Sequence, residues 1–263
     1  MALAPAGAGS RAETLRRRCI DDPVGRKARW AFWLGAALLA CAAAQGAHAQ
    51  FSGTLSGVTD YRYRGVTFSD RRPAAQAGLT YDDSSGLYAG VFGSTVRLDP
   101  PGRSNSRFQT IAYGGYAMRL ASGVSLEAGG DYSAFAGSSD LNYAEFFVGA
   151  STENLNARLY LSPRYFGTTS TGTYGEVNAT QPLVDSLRLH LHVGFLRYRY
   201  DYPPQYGLSP TKNVFDARIG LRADIDRFQL EIAWVGVNNH SAAYFITGRN
   251  TPNGIVAALT FSF

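Results

Sequence analysis

The chain has 263 residues, of which 17% are charged and 13% aromatic, with 29 glycines and 16 tyrosines. No apolar run reaches the roughly 18 residues that a membrane-crossing helix requires, so a helical membrane span is not expected. The net charge of +5 sits almost wholly in residues 1–49, with seven Lys+Arg against three Asp+Glu (+4), while the other 214 residues carry 18 against 17 (+1), so no nucleic-acid surface is implied.

The first 49 residues have the form of an export leader. "GRKAR" (25–29) is a basic segment, "AFWLGAALLACAAA" (31–44) is an apolar stretch of 14 residues, and "AHA" (47–49) places small residues Ala47 and Ala49 at a cleavage site. Cleavage after Ala49 is expected, leaving 50–263 as one domain. Residues 1–24 exceed what such a leader needs, and translation is expected to begin near Val24. Both cysteines, Cys19 and Cys41, lie in the leader, so the mature chain excludes disulfides, thiolate catalysis and Cys-ligated zinc. "LLAC", ending at Cys41, also has the form of a lipid-acylation site, but "AHA" followed directly by a strand fits cleavage better.

From residue 50 onward apolar and polar residues alternate with period two, in segments separated by Gly, Asp, Asn, Ser and Pro. Twelve strands are expected: 51–63, 73–82, 87–96, 107–119, 123–135, 141–151, 154–164, 173–181, 186–198, 213–223, 227–237 and 254–263. Their connections alternate long and short. "ASG" (121–123), "TEN" (152–154) and "DID" (224–226) are short; "RLDPPGRSNS" (97–106) and "NNHSAAYFITGRNTPN" (238–253) are long. An even strand count with short turns at one end and long loops at the other marks a closed, antiparallel transmembrane β-barrel of the bacterial outer membrane.

The polarity of the alternation agrees. In 186–195, Leu187, Leu189, Leu191, Val193 and Phe195 share one face, and Arg188, His190 and His192 share the other. The apolar faces are expected outside, against outer-membrane lipid. A one-residue slip would place Arg158 or Arg188 in hydrocarbon, at about 2–4 kcal/mol near the midplane. Tyr61, Tyr63, Phe51, Phe228, Phe261 and Phe263 fall where aromatic girdles are expected. A terminal phenylalanine on an alternating strand, here Phe263 with Phe261, also has the form of an assembly signal for the barrel-assembly machinery. Segments 107–119 and 73–82 alternate less cleanly, and are expected where a loop folds inside.

The stretch 57–95 carries Asp60, Tyr61, Tyr63, Arg64, Gly65, Ser69, Pro73, Ala74 and Gln76 in an S-D-Y-x-F/Y-R-G…P-A-x-Q-like order. On those residues it resembles a proteobacterial family of uncharacterised exported proteins. "SGLYAGVFGS" (85–94) is similar to the family's second block, with Phe92 in place of its usual Trp. The resemblance implies an outer-membrane-type barrel of unknown role and carries over no catalytic residues.

The lumen candidates follow from the inward faces. Asp60, Arg62 and Arg64 would alternate on the first strand, either as a charged constriction, since charge sets pore selectivity, or as a salt-bridge ladder ending in a turn at "RG". Seven inward acids (Asp60, Glu127, Asp131, Glu145, Glu176, Asp216, Glu231) face seven arginines (Arg62, Arg64, Arg158, Arg164, Arg188, Arg218, Arg222), predicting mutual pairing and weak ion selectivity. His190 and His192 share the lumen face, but no further metal ligand is apparent; a proton-sensitive lumen is the alternative. His240 and Ser241 are adjacent, which denies them a base–nucleophile contact. An Arg/Tyr/Pro-rich loop at 197–213 has the composition of a sugar-stacking site or of a stiffened external loop.

No catalytic residue, metal site or cofactor is expected. The favoured function is a narrow porin-like channel for an unidentified small solute. The alternative is a plugged barrel with a structural, adhesive or ligand-binding role, and an outer-membrane hydrolase ranks third.

Overall fold

A computed structural model of the chain describes residues 49–199 and 211–263. Residues 1–48 of the expected leader, including Ala47 and Cys41, lie outside the described residues, as does most of the loop at 197–213, while Ala49 is the first residue of a strand. Twelve strands form one closed antiparallel barrel. In chain order they are β1 (Ala49–Val58), β4 (Ala74–Asp83), β5 (Leu87–Leu98), β6 (Ser106–Arg119), β7 (Ser125–Phe135), β8 (Tyr143–Ser151), β9 (Leu155–Ser162), β10 (Gly172–Val184), β11 (Leu187–Arg199), β12 (Thr211–Ile225), β13 (Phe228–Val237) and β14 (Gly254–Ser262). Two short strands, β2 (Arg62–Tyr63) and β3 (Val66–Thr67), pair separately. Every expected strand is present. Five connections at one end are two to five residues long, and all six at the other end are longer.

The outer surface is apolar. Leu191, Val193 and Phe195 on β11, Leu155, Leu159 and Leu161 on β9, and Leu230, Ile232 and Trp234 on β13 are all exposed. Alternate residues of the same strands are turned inward. Closure leaves no open sheet edge, and an open edge in hydrocarbon would cost several kcal/mol per unpaired group. β1 completes the cylinder against both β4 and β14, with Leu55 opposite Phe261 and Ala77.

The last residue takes part in this closure. The Phe263 amide donates to the Gly53 carbonyl at 3.0 Å, and the Gly53 amide donates back to Phe263 at 2.9 Å. The Phe263 ring lies over Gly53, where an added Cβ would approach it to 2.4 Å. Phe261 packs against Phe228 and Phe263, and Phe51 against Tyr81, forming an aromatic band at the short-turn end.

The expected first strand, 51–63, ends early, at Val58. The chain then turns into the barrel. Arg64 (φ 49°) and Gly65 (φ 75°) form a two-residue left-handed turn, with Arg62 opposite Thr67 and Tyr63 opposite Val66. This is the turn geometry that matches strand twist in a tight hairpin. The "RG" turn therefore exists, but it lies in the lumen. Tyr61 and Tyr63 accordingly belong to the interior and not to a girdle. Alternation alone cannot detect this change, because an inward hairpin repeats the period of a strand.

Candidate functional site

The lumen has two parts. Toward the long-loop end it is filled. Asp60 holds the base of the hairpin, accepting from Arg62 Nε at 2.6 Å, Thr67 Oγ1 at 2.5 Å and Ser69 Oγ at 3.2 Å. The Arg62 guanidinium also donates to the Pro252 carbonyl at 2.8 Å, which joins the hairpin to the loop after β13. Phe68 packs on Tyr61, Tyr63, Phe135 and Phe166 with centroids 5.1–6.4 Å apart. Phe166, Tyr165, Tyr198 and Phe245 extend that core across the barrel. The space left among these rings is about 10 Å³, room for one ordered water at most, and its lining is almost wholly apolar.

The hairpin tip reaches the far wall. An added Cβ at Gly65 would meet Val237 at 2.4 Å and Asp216 at 2.6 Å, so only glycine fits both the backbone and the gap. Arg64 beside it makes a two-point contact with Glu145 on β8, at 3.1 and 2.5 Å. Its guanidinium lies over the rings of Tyr174, Tyr63, Tyr160 and Tyr165, at 4.3, 5.0, 5.2 and 5.8 Å. Both partners of the ion pair are buried. Two-point carboxylate binding combined with cation–π contacts is strong and directional, and it fixes the tip across the lumen.

Beneath the hairpin lies a cavity of about 700 Å³. Arg62, Tyr63, Arg64 and Gly65 roof it, and it is walled by Arg158 and Tyr160 (β9), Asp131 (β7), Glu176 (β10), His190 and His192 (β11), Arg218 and Arg222 (β12) and Glu231 (β13). Most of its charges are paired. Glu127 accepts from Arg158 at 2.5 and 2.9 Å. Glu231 is shared, accepting from Arg218 at 2.7 Å and from Arg222 at 3.4 Å. His192 Nε2 lies 2.7 Å from Asp216 and 3.2 Å from the Tyr174 hydroxyl, while its Nδ1 lies 2.7 Å from Asn178 Oδ1. His190 points into the same cavity, and its buried Nε2 has no hydrogen-bond partner.

The seven-against-seven balance needs correction. Arg164 follows the end of β9 and is exposed in the loop. Arg188 is at the short-turn rim, 48% exposed, paired with Asp224 at 3.0 Å. Asp60, Arg62 and Arg64 belong to the inward hairpin and not to the first strand. Of those fourteen groups, all seven acids and five of the arginines remain in the interior. The sequence missed the tyrosine cage around Arg64 because its members come from the hairpin, β9, the next loop and β10. Ser241 Oγ and His240 do not meet in a catalytic pair: the hydroxyl is 3.1 Å from Asn239 Oδ1.

A family described as a bacterial protein of unknown function (Gcw_chp) matches residues 42–262. The chain belongs to this family. No curated protein matches it. Among solved structures, the KdgM porin is similar over 81% of this chain and 99% of its own, at 10% identity and a TM-score of 0.47. The NanC porin covers 81% of this chain and 98% of its own, at 13% identity and 0.47. OccAB3 of Acinetobacter baumannii covers 84% and 66%, at 9% identity and 0.43. The architecture described above is a closed barrel of twelve antiparallel strands.

Proposed function

We propose that the protein is an outer-membrane barrel that passes small polar solutes through a narrow lumen closed, in this conformation, by the inward hairpin 59–73. The observation that carries this reading is the 700 Å³ polar cavity inside a closed barrel with an apolar exterior. Export with cleavage after Ala49, recognition of Phe263 and Phe261 by the assembly machinery, and a non-catalytic role complete the proposal. The lumen candidates divide into a latch (Asp60, Arg62, Arg64), lining groups (Arg158, His190, His192, Glu231) and a rim group (Arg188). Passage requires the hairpin tip to leave the Tyr160–Tyr165–Tyr174 cage, with Arg64 as the group that holds it.

The test is single-channel recording from the full protein in planar bilayers. Discrete steps are expected, with longer or larger openings in Arg64→Ala. A second reading is favoured by the dry aromatic seal: a barrel plugged at the long-loop end, with a structural, adhesive or ligand-binding role. Silence in both the native protein and Arg64→Ala, from barrels demonstrably inserted, overturns the channel and selects the plug.

A further inference from the structure

We propose that the cavity beneath the hairpin is a binding site for a small zwitterion, a solute that carries a carboxylate together with an ammonium or guanidinium group. The inference rests on the solute-channel reading and names its substrate class. It comes from the charges left over once the internal pairs are counted. Asp60 pairs with Arg62, Glu145 with Arg64 and Glu127 with Arg158. Asp216 is engaged by His192. The remainder is distributed unevenly.

On one wall, Arg218 and Arg222 share the single carboxylate of Glu231, which leaves one guanidinium in excess. The unpartnered Nε2 of His190 lines the cavity from the neighbouring strand. On the other side, among the described residues, the Asp131 carboxylate accepts no hydrogen bond and has no ion-pair partner. Between the two, on β10, Glu176 accepts among the described residues only the Tyr160 hydroxyl, at 3.4 Å. β7, which carries Asp131, is five strand steps from β12 in a ring of twelve, so Asp131 and the arginine pair occupy nearly opposite walls. All of these groups line one cavity. Its 700 Å³ falls within the roughly 300–1,000 Å³ typical of small-molecule sites.

An arginine-rich wall on one side and a carboxyl without a cationic partner on the other give the cavity a transverse asymmetry that orients a dipolar solute. The carboxylate of such a solute would face Arg218 and Arg222, and its cation would face Asp131 across the cavity, with Glu176 on the wall between them. Tyr88, Tyr113 and Tyr160 lie in the same lining and provide aromatic faces and hydroxyls. A solute with one sign of charge meets an unfavourable wall on one side, whereas a zwitterion satisfies both.

The test is calorimetric titration of the full folded protein in detergent with L-arginine, alongside agmatine, which lacks the carboxylate, and acetate, which lacks the cation. L-arginine is expected to bind at least tenfold more tightly than either. Asp131→Asn and Arg222→Gln should each reduce its affinity by at least tenfold, with barrel folding checked by heat-dependent gel mobility. Equal affinity for L-arginine and agmatine, no binding of L-arginine, or unchanged affinity in both variants would overturn the site. Bilayer recordings separate this from the channel reading. L-arginine binding without conductance steps leaves the site standing and removes passage. Steps that L-arginine neither blocks nor modulates, together with no calorimetric binding, leave passage standing and remove the site.

Discussion

The two halves of the lumen are built from the same alternating strands, yet one is dry and the other is polar. The long-loop half contains Phe68, Phe166, Tyr198 and Phe245 packed around a void of about 10 Å³. The short-turn half contains Arg158, Glu176, Arg218, Glu231 and His192 around about 700 Å³. The strand pattern decides only which residues point inward. What fills the space depends on which connections fold back, and in the long-loop half the hairpin meets the loops that carry Phe166 and Phe245. Closure in this barrel is therefore local, and the hairpin can be perturbed separately from the wall.

The strongest way to break that contrast is to release the tip. Arg64→Ala leaves Glu145 buried without its counter-charge, which should cost about 3–5 kcal/mol. The readout is the urea unfolding midpoint of the protein in liposomes, and Arg64→Ala with Glu145→Gln should recover part of the loss. Phe68→Ala attacks the dry half directly. Truncating a fully buried phenylalanine costs about 3–5 kcal/mol, and the enlarged void should also raise conductance. A loss of stability with no change in conductance would show that Phe68 packs the seal without controlling it.

The exterior offers a control that leaves both halves of the lumen untouched. Ile219 on β12 is 54% exposed on the apolar face. Ile219→Arg should cost about 2–4 kcal/mol if that face meets the bilayer midplane, whereas Ile219→Val should be nearly neutral. An arginine tolerated there would overturn the placement of the apolar band.

Acid should loosen the long-loop rim. Burial alone would raise the Asp99 carboxyl, but hydrogen bonds and charge from Arg107 and Arg249 hold it below its usual value of 3.8. A folded value below the unfolded one stabilises the fold at neutral pH, and that contribution is lost as the pH falls below the usual carboxylate range. Arg249→Gln should flatten this dependence, measured as protease sensitivity of the rim from pH 5 to about pH 2. The smallest effect is expected at Arg103 and Asp140, an ion pair with an Asp140 side chain 48% exposed at 3.4 Å. Asp140→Asn should change stability by about 0–1 kcal/mol.

Much of the architecture was legible in the chain. The alternation of leucine with arginine and histidine through 187–195 set which face turns outward, because a slip by one residue would exchange the two faces. The sorting of long and short connections set the strand count and which end carries the loops. Internal charge pairing was also legible, since seven acids and a similar number of arginines share the inward phase. The partners were not. Arg158 reaches Glu127 over a separation of 31 residues and Arg64 reaches Glu145 over 81, through strand neighbours and a hairpin that local pattern does not encode.

The sequence by itself thus determined a closed barrel with an apolar exterior and a charged interior, because period-two alternation is a local property of each strand. Only the tertiary structure decided that the first strand stops at Val58 and that "YRYRGVTF" turns inward. It also moved Arg164 and Arg188 out of the lumen and gathered the tyrosine cage around Arg64. Those outcomes depend on the space enclosed when twelve strands close and on which loop fills it best, and both are properties of the whole cylinder.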